Sequence, residues 1–203
     1  MLPWKELLVS CPFCKSEKSL MQLLSTNNFG WSQWSDTKTT YMHEVFPVQK
    51  CESCWKYYFW YDQESREWDD ITLNTWDLYY PEAKEAVEQL YSEELDEDHI
   101  YRLLISFLWA YNNWFFREND DDKNKKVETE EDIKFFNKFI EKLCKIIPEE
   151  NVMFKSELLR EMWKFDECIE LLNKVNLWNV EFVKRQIIEH AEAHDKNVFC
   201  ISR

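Results

Sequence analysis

Two cysteine pairs, Cys11-Pro12-Phe13-Cys14 and Cys51-Glu52-Ser53-Cys54, constrain this chain more than any other feature. Two thiolates separated by two residues can bite one metal ion from a single tight turn, and two such turns complete a tetrahedral four-sulfur set. Structural zinc favours that set, and ligation by four thiolates leaves no position open for a reacting water. The expected cofactor is therefore one structural Zn2+ held by Cys11, Cys14, Cys51 and Cys54. A thioredoxin-type redox role for either pair needs a βαβ setting and an exposed, low-pKa thiol, and the sequence suggests neither. Between the pairs lie 36 residues, more than the 15–20 of compact four-cysteine fingers, so the small metal-bound region carries an insertion. The residue after each second cysteine needs a positive φ, which glycine supplies most cheaply. Lys15 and Trp55 stand there instead.

Around the knuckles the pattern is that of strands. Leu7-Leu8-Val9 leads into the first pair, Leu20–Leu24 and Phe29–Trp34 are candidates for the insertion, and Tyr57-Tyr58-Phe59-Trp60-Tyr61 reads as a strand covered on both faces. Residues 62–80 mix acids with aromatics and show no clean period, as expected of an extended connection. From Pro81 the period becomes helical. Ile100, Leu103, Leu104, Phe107, Leu108, Tyr111, Trp114 and Phe115 fall on one face of a helix that Asp98 is expected to cap. Thr129-Glu130-Glu131-Asp132 reads as a capping box, and Pro148 ends the helix it starts. Helices follow over about 151–163, 166–175 and 178–194, and the apolar tail 197–201 is expected to dock. The expected fold class is α+β: a small N-terminal four-cysteine zinc ribbon over residues 1–62, an acidic aromatic connection over 63–80, and an all-α unit over 81–203.

Composition removes several function classes. Gly30 is the only glycine, which rules out the glycine-rich phosphate loops of P-loop and dinucleotide-binding proteins. No run of about 18 apolar residues exists, so no spanning helix is expected, and the N-terminus lacks the form of a secretory signal. A cytoplasmic location and no membrane partner follow as expectations; paired CxxC knuckles also fit a reducing compartment better than a disulfide framework does. The net charge of -14 sits in the middle third, where residues 61–131 carry 7 basic against 21 acidic residues. Such a field repels phosphate backbones. His190 and His194 lie four apart on a helix but lack a third ligand, and Cys144, Cys168 and Cys200 sit in apolar patterns and read as small buried hydrophobes. No catalytic residue is assigned, and the protein is read as a non-enzyme.

The stretch from Leu158 to Leu172 resembles the middle of a tetratricopeptide repeat, with Met162-Trp163 in place of the usual leucine-glycine pair and Cys168 at the small-residue position. Together with the CPxC knuckle, Trp34-Ser35-Asp36 and the second CxxC followed by aromatics, it makes the chain similar to uncharacterised bacterial zinc-ribbon proteins. That resemblance implies a fold and a metal and no activity. The functional expectation is an adaptor that presents an acidic helical surface to a protein partner, a basic one suiting the charge. Trp31, Trp34, Trp55 and Trp60, with Asp69, Asp70 and Asp77, are the candidate partner-binding residues. Two alternatives stand beside it: an immunity- or antitoxin-type inhibitor of a basic toxin or nuclease, and a nucleic-acid binder using the ribbon lysines and aromatics, the disfavoured partner class on charge.

Overall fold

In a computed structural model the described residues are 5–22, 33–39, 47–63, 65–67, 78–92, 94–117, 126–175 and 180–201. They form an α+β protein with five short strands and six α-helices. By its internal contacts the chain divides into two units, one of residues 1–30 and 41–110 and one of residues 31–40 and 111–203. The division does not fall near residues 62 or 81, where composition changes; it falls inside a helix. Among the described residues no helix is long and apolar enough to cross a membrane.

The first unit is built on two antiparallel hairpins, each with a cysteine pair as its turn. Strand β1 (Lys5–Ser10) pairs with β2 (Glu17–Gln22), ending at Ser10 opposite Glu17. Strand β3 (Val48–Lys50) pairs with β4 (Tyr57–Phe59), ending at Lys50 opposite Tyr57. A fifth strand, β5 (Ser65–Glu67), lies on the other side of β1. Leu7, Val9, Leu20 and Tyr58 pack with Cys11 and Cys51 into one small core, which Trp60 covers.

Helix α1 (Tyr80–Leu90) belongs to this unit because its side chains pair with β4. The Gln89 amide accepts from the Tyr57 N–H at 3.2 Å and donates to the Tyr57 carbonyl at 3.1 Å, so an edge that would template strand addition is closed by a side chain. Glu85 then accepts from the Tyr57 hydroxyl and from Lys50, each at 2.9 Å. Neither contact has a sequence period, which is why α1 reads as part of a separate helical unit in the sequence.

Helix α2 (Glu97–Asn112) starts one residue before the expected cap. Asp96, not Asp98, accepts the His99 N–H at 2.9 Å, while Asp98 pairs with Arg102 one turn on. His99 closes a second link, with Nδ1 2.7 Å from Asp96 and Nε2 2.8 Å from Asp62 in the 3-10 turn after β4. A ring with a carboxylate at both nitrogens must donate from both, which only the imidazolium does. Burial works against that charge, but the hydrogen bonds to Asp96 and Asp62 outweigh it and raise the His99 pKa. The stabilisation is complete below the unfolded histidine value of about 6.5 and is lost as pH rises through the raised folded value. Urea midpoints measured from pH 6 upward are expected to fall more steeply for the wild type than for His99→Gln. Parallel curves would remove the ion pair from the account.

The second unit contains the five-residue π turn Asn113–Arg117, then α3 (Glu130–Ile146), α4 (Val152–Glu161), α5 (Phe165–Asn173) and α6 (Glu181–Glu192). The Thr129 capping box forms as expected, with Asp132 at the reciprocal position. Val152, Phe165, Cys168, Leu172, Ile187 and Ala191 make one core of α4, α5 and α6. Each fully buried Leu or Ile there contributes roughly 1.5–3 kcal/mol over leaving it exposed. The tail docks as well: Val198 is buried, Phe199 stacks on His190, and Ile201 N–H donates to the Gln33 carbonyl at 2.8 Å. Residues 33–39, from the insertion between the knuckles, thus belong to the helical unit.

Candidate metal centre

Both cysteine turns have one backbone design. Cys11 N–H donates to the Ser16 carbonyl and Lys15 N–H to the Cys11 carbonyl; Cys51 and Lys56, then Trp55 and Cys51, repeat the pattern at 2.8–3.0 Å. The turn is tight enough to force φ 64° on Lys15 and 61° on Trp55, the positions where glycine is missing. Non-glycine residues are strained there by roughly 1–2 kcal/mol each.

The two turns bring four sulfurs together, with one ligand atom of each cysteine within 4.8 Å of all the others. Cys11 and Cys54 are 3.7 Å apart and Cys14 and Cys51 are 3.5 Å apart. A tetrahedron with metal–sulfur bonds of about 2.3 Å has edges of about 3.8 Å, whereas a disulfide needs about 2.05 Å. The spacing therefore matches ligands around a metal ion, and all four cysteines are free of disulfides. No other group of three or more His, Cys, Asp or Glu ligand atoms converges among the described residues. His190 instead bonds Asp195 at 2.8 Å, and His194 turns to the Glu192 carbonyl.

Ser16 joins this site, and sequence spacing alone did not single it out. Its hydroxyl lies 3.1 Å from both Cys14 Sγ and Cys51 Sγ, one sulfur from each turn. That contact lowers the Cys14 thiol below its ordinary range. Burial raises the Cys51 thiol, yet the hydrogen bonds from Ser16 and from the Cys54 and Ser53 amides outweigh it and bring it down to about 6. The Lys56 amide works to lower Cys54, but desolvation and the neighbouring sulfurs push it up to about 12. Four crowded thiols cannot all ionise alone; a dication at their centre removes that competition.

Beside the second turn opens a pocket of about 270 Å³ lined by Lys18, Lys50, Glu52, Trp55, Leu78 and Tyr79, among others. Trp55 is 69% exposed and Tyr79 55%. Lys50 Nζ lies 5.4 Å from the Trp55 ring centre, and at the other knuckle Lys56 lies 4.6 Å from the exposed ring of Phe13. The remaining candidate residues are placed differently. Trp60 is half-buried against the knuckle core, and half-buried Trp34 lies in the second unit beneath the Arg117 guanidinium. Trp31, Asp69, Asp70 and Asp77 lie outside the described residues. Phe13, Tyr79 and Ser16 complete the knuckle surface, and only an exposed aromatic inside a CxxC loop signals the first of them in sequence.

Comparison of the chain with protein-family models, with curated proteins and with solved structures returned no match.

Proposed function

We propose that this protein is a non-enzymatic interaction module in which a zinc ribbon, fixed by Zn2+ on Cys11, Cys14, Cys51 and Cys54, presents an aromatic cleft to a protein partner. Trp55 carries this reading. It exposes most of its surface and occupies a left-handed backbone position that glycine would fill without strain. A residue with a strained backbone and a large exposed ring, whose return is one cation–π contact with Lys50, is best explained by what it binds. With Tyr79 it walls the pocket beside the second turn. At about 270 Å³ that pocket is below the usual 300–1,000 Å³ of small-molecule sites, and it suits one anchoring side chain of a larger partner. The net charge of -14 favours a basic partner by steering its approach.

The α4–α5 hairpin supports a tetratricopeptide-like reading of the helical unit. Trp163 has φ 64°, and its N–H and that of Lys164 bond to the Arg160 and Leu159 carbonyls, the capping pattern usually built on glycine. Cys168 is fully buried at the small-residue position.

Trp55→Gly separates function from folding. It removes the ring and relieves the backbone, so the ribbon should gain about 0.5–1 kcal/mol in denaturant unfolding. Affinity capture from the native host should retain a partner with the wild type and lose it with the variant at equal metal content. Identical captures would overturn the assignment. Titration of single-stranded and duplex oligonucleotides with the same two proteins tests the nucleic-acid alternative; tight binding lost with Trp55→Gly would replace the protein partner by a strand stacked on the ribbon.

A further inference from the structure

The second unit buries three carboxylates, Asp36, Glu157 and Glu161, each 3% exposed or less. Two guanidinium groups accompany them, and each is committed. Arg160 holds Glu157 through Nε to Oε2 at 2.9 Å and Nη2 to Oε1 at 2.5 Å, and its Nη1 donates to the Asp195 carbonyl. Arg117, on the π turn after α2, pairs with Asp36. Glu161 keeps one hydrogen bond: its Oε2 accepts from Asn112 Nδ2 at 2.9 Å. The same amide nitrogen donates to Asp36 Oδ2, also at 2.9 Å. Glu161 Oε1 and Asn112 Oδ1 are both buried without a hydrogen-bond partner among the described residues.

Buried Lys196 is taken up by Glu128, so among the described residues of this cluster three buried carboxylates face two guanidinium groups, an excess of one negative charge. An unpaired buried carboxylate costs several kcal/mol, so such a group neutralises itself where it can. The orphan atoms point the same way. Two neighbouring acceptors with no donor are one hydrogen short, and a proton on the acid supplies it.

We infer that Glu161 is a proton-binding site of the second unit, held as the neutral acid, and that its ionisation loosens residues 33–39 from α4. The facing titratable groups among the described residues bear on this. From α4 itself come Glu157 and Arg160, from the 33–39 segment Asp36, from the π turn Arg117 by way of Asp36, and from α3 the thiol of Cys144, which burial pushes up to about 11 and keeps neutral. Burial first, and then the charges of Glu157 and Asp36, drive the Glu161 carboxyl well above the ordinary carboxylate range, while Arg160 and Asn112 oppose without cancelling them. On ionisation Glu161 and Asp36 would share one amide donor as two anions. Asp36 is the movable member, because it stands in a tight loop rather than a helix. Hydrogen bonds tie that loop to the tail: Ser35 N–H to the Phe199 carbonyl at 2.9 Å, Ile201 N–H to the Gln33 carbonyl at 2.8 Å, and Phe199 N–H to the Ser35 hydroxyl at 3.1 Å.

The folded state then holds a proton that the unfolded chain has released. Stability must fall as pH rises from the unfolded glutamate value, about 4.3, towards the raised folded one. Carboxyl-carbon NMR of the full metal-loaded chain, with glutamate labelled, is the direct test. One resonance, identified by its loss in Glu161→Gln, should keep the protonated shift at pH 7 while the other glutamates titrate near their ordinary values. Asp36→Asn, which removes one of the two negative charges that hold the proton on Glu161, should shift the titration of that resonance to lower pH. In urea unfolding, the wild-type folding constant should fall relative to that of Glu161→Gln by up to tenfold per pH unit across the window. An ionised Glu161 at pH 7, or stability profiles that run parallel, would overturn the proposal. An ionised resonance with a stability that depends on added sodium or magnesium would do so in favour of a bound cation.

Discussion

Cys51→Ser is expected to cost the protein its metal and, with it, the fold of the two knuckle hairpins. Three of the four cysteines also belong to the apolar core: Cys11 and Cys51 are buried with Leu7, Val9, Leu20 and Tyr58, and Cys54 and Trp60 pack on the same cluster. Strands of three to six residues cannot sustain a sheet alone, and this core has few large side chains to offset the ordering entropy. Structural zinc contributes on the order of 10 kcal/mol or more at pH 7, as much as the whole stability of an ordinary domain. If the four sulfurs hold Zn2+ as proposed, the variant should fall from one zinc per chain to none, with tryptophan emission shifted to the red as Trp60 loses its cover. Exhaustive chelation of the wild type should give the same spectrum. Cys200→Ser, an exposed cysteine outside the cluster, is the control and should change neither reading. Retention of one metal and of the wild-type unfolding midpoint by Cys51→Ser would exclude the knuckles as the fold's staple. Recovery of iron in place of zinc would overturn the assignment of the metal and leave the staple intact.

The four-sulfur cluster is legible in the sequence because a CxxC turn is a local motif whose geometry depends on few outside residues. The capping box at Thr129, the stop at Pro148 and the buried α2 face are legible for the same reason: each is written within one or two turns of chain. The contact division of the chain is not. It depends on Gln89 and Glu85 reaching β4, and on residues 33–39 meeting the tail some 160 positions later. Such pairings involve polar side chains that carry no hydrophobic period. Tryptophans illustrate the limit best. Sequence marks Trp34, Trp55 and Trp60 alike, whereas the structure exposes Trp55 and half-buries the other two. The α4 pattern misleads in a further way. Ser156, Glu157, Arg160 and Glu161 put polar side chains on one face of α4, and that face is buried.

Arg160→Ala should be the most damaging substitution in the helical unit, and the reason lies in what it leaves behind. Glu157 is fully buried and accepts two hydrogen bonds from this one guanidinium. Loss of Arg160 strands a carboxylate beside Glu161, which has no ion-pair partner to share, and also frees the Asp195 carbonyl at the end of α6. Breaking one member of a buried pair in this way costs about 3–5 kcal/mol, whereas replacing both members by apolar groups of similar size is often neutral. Arg160→Ala is therefore expected to lower the unfolding free energy by about 3–5 kcal/mol in urea titration. The double variant Glu157→Leu with Arg160→Met should recover most of that loss, short of the hydrogen bond to Asp195, worth about 1 kcal/mol. If the single variant loses less than about 1 kcal/mol, Glu157 must take up a proton as readily as Glu161. If instead the double variant is no better than the single one, the loss belongs to the packing of the Arg160 stem and guanidinium against Phe199, whose ring lies 5.1 Å away, and not to the stranded charge.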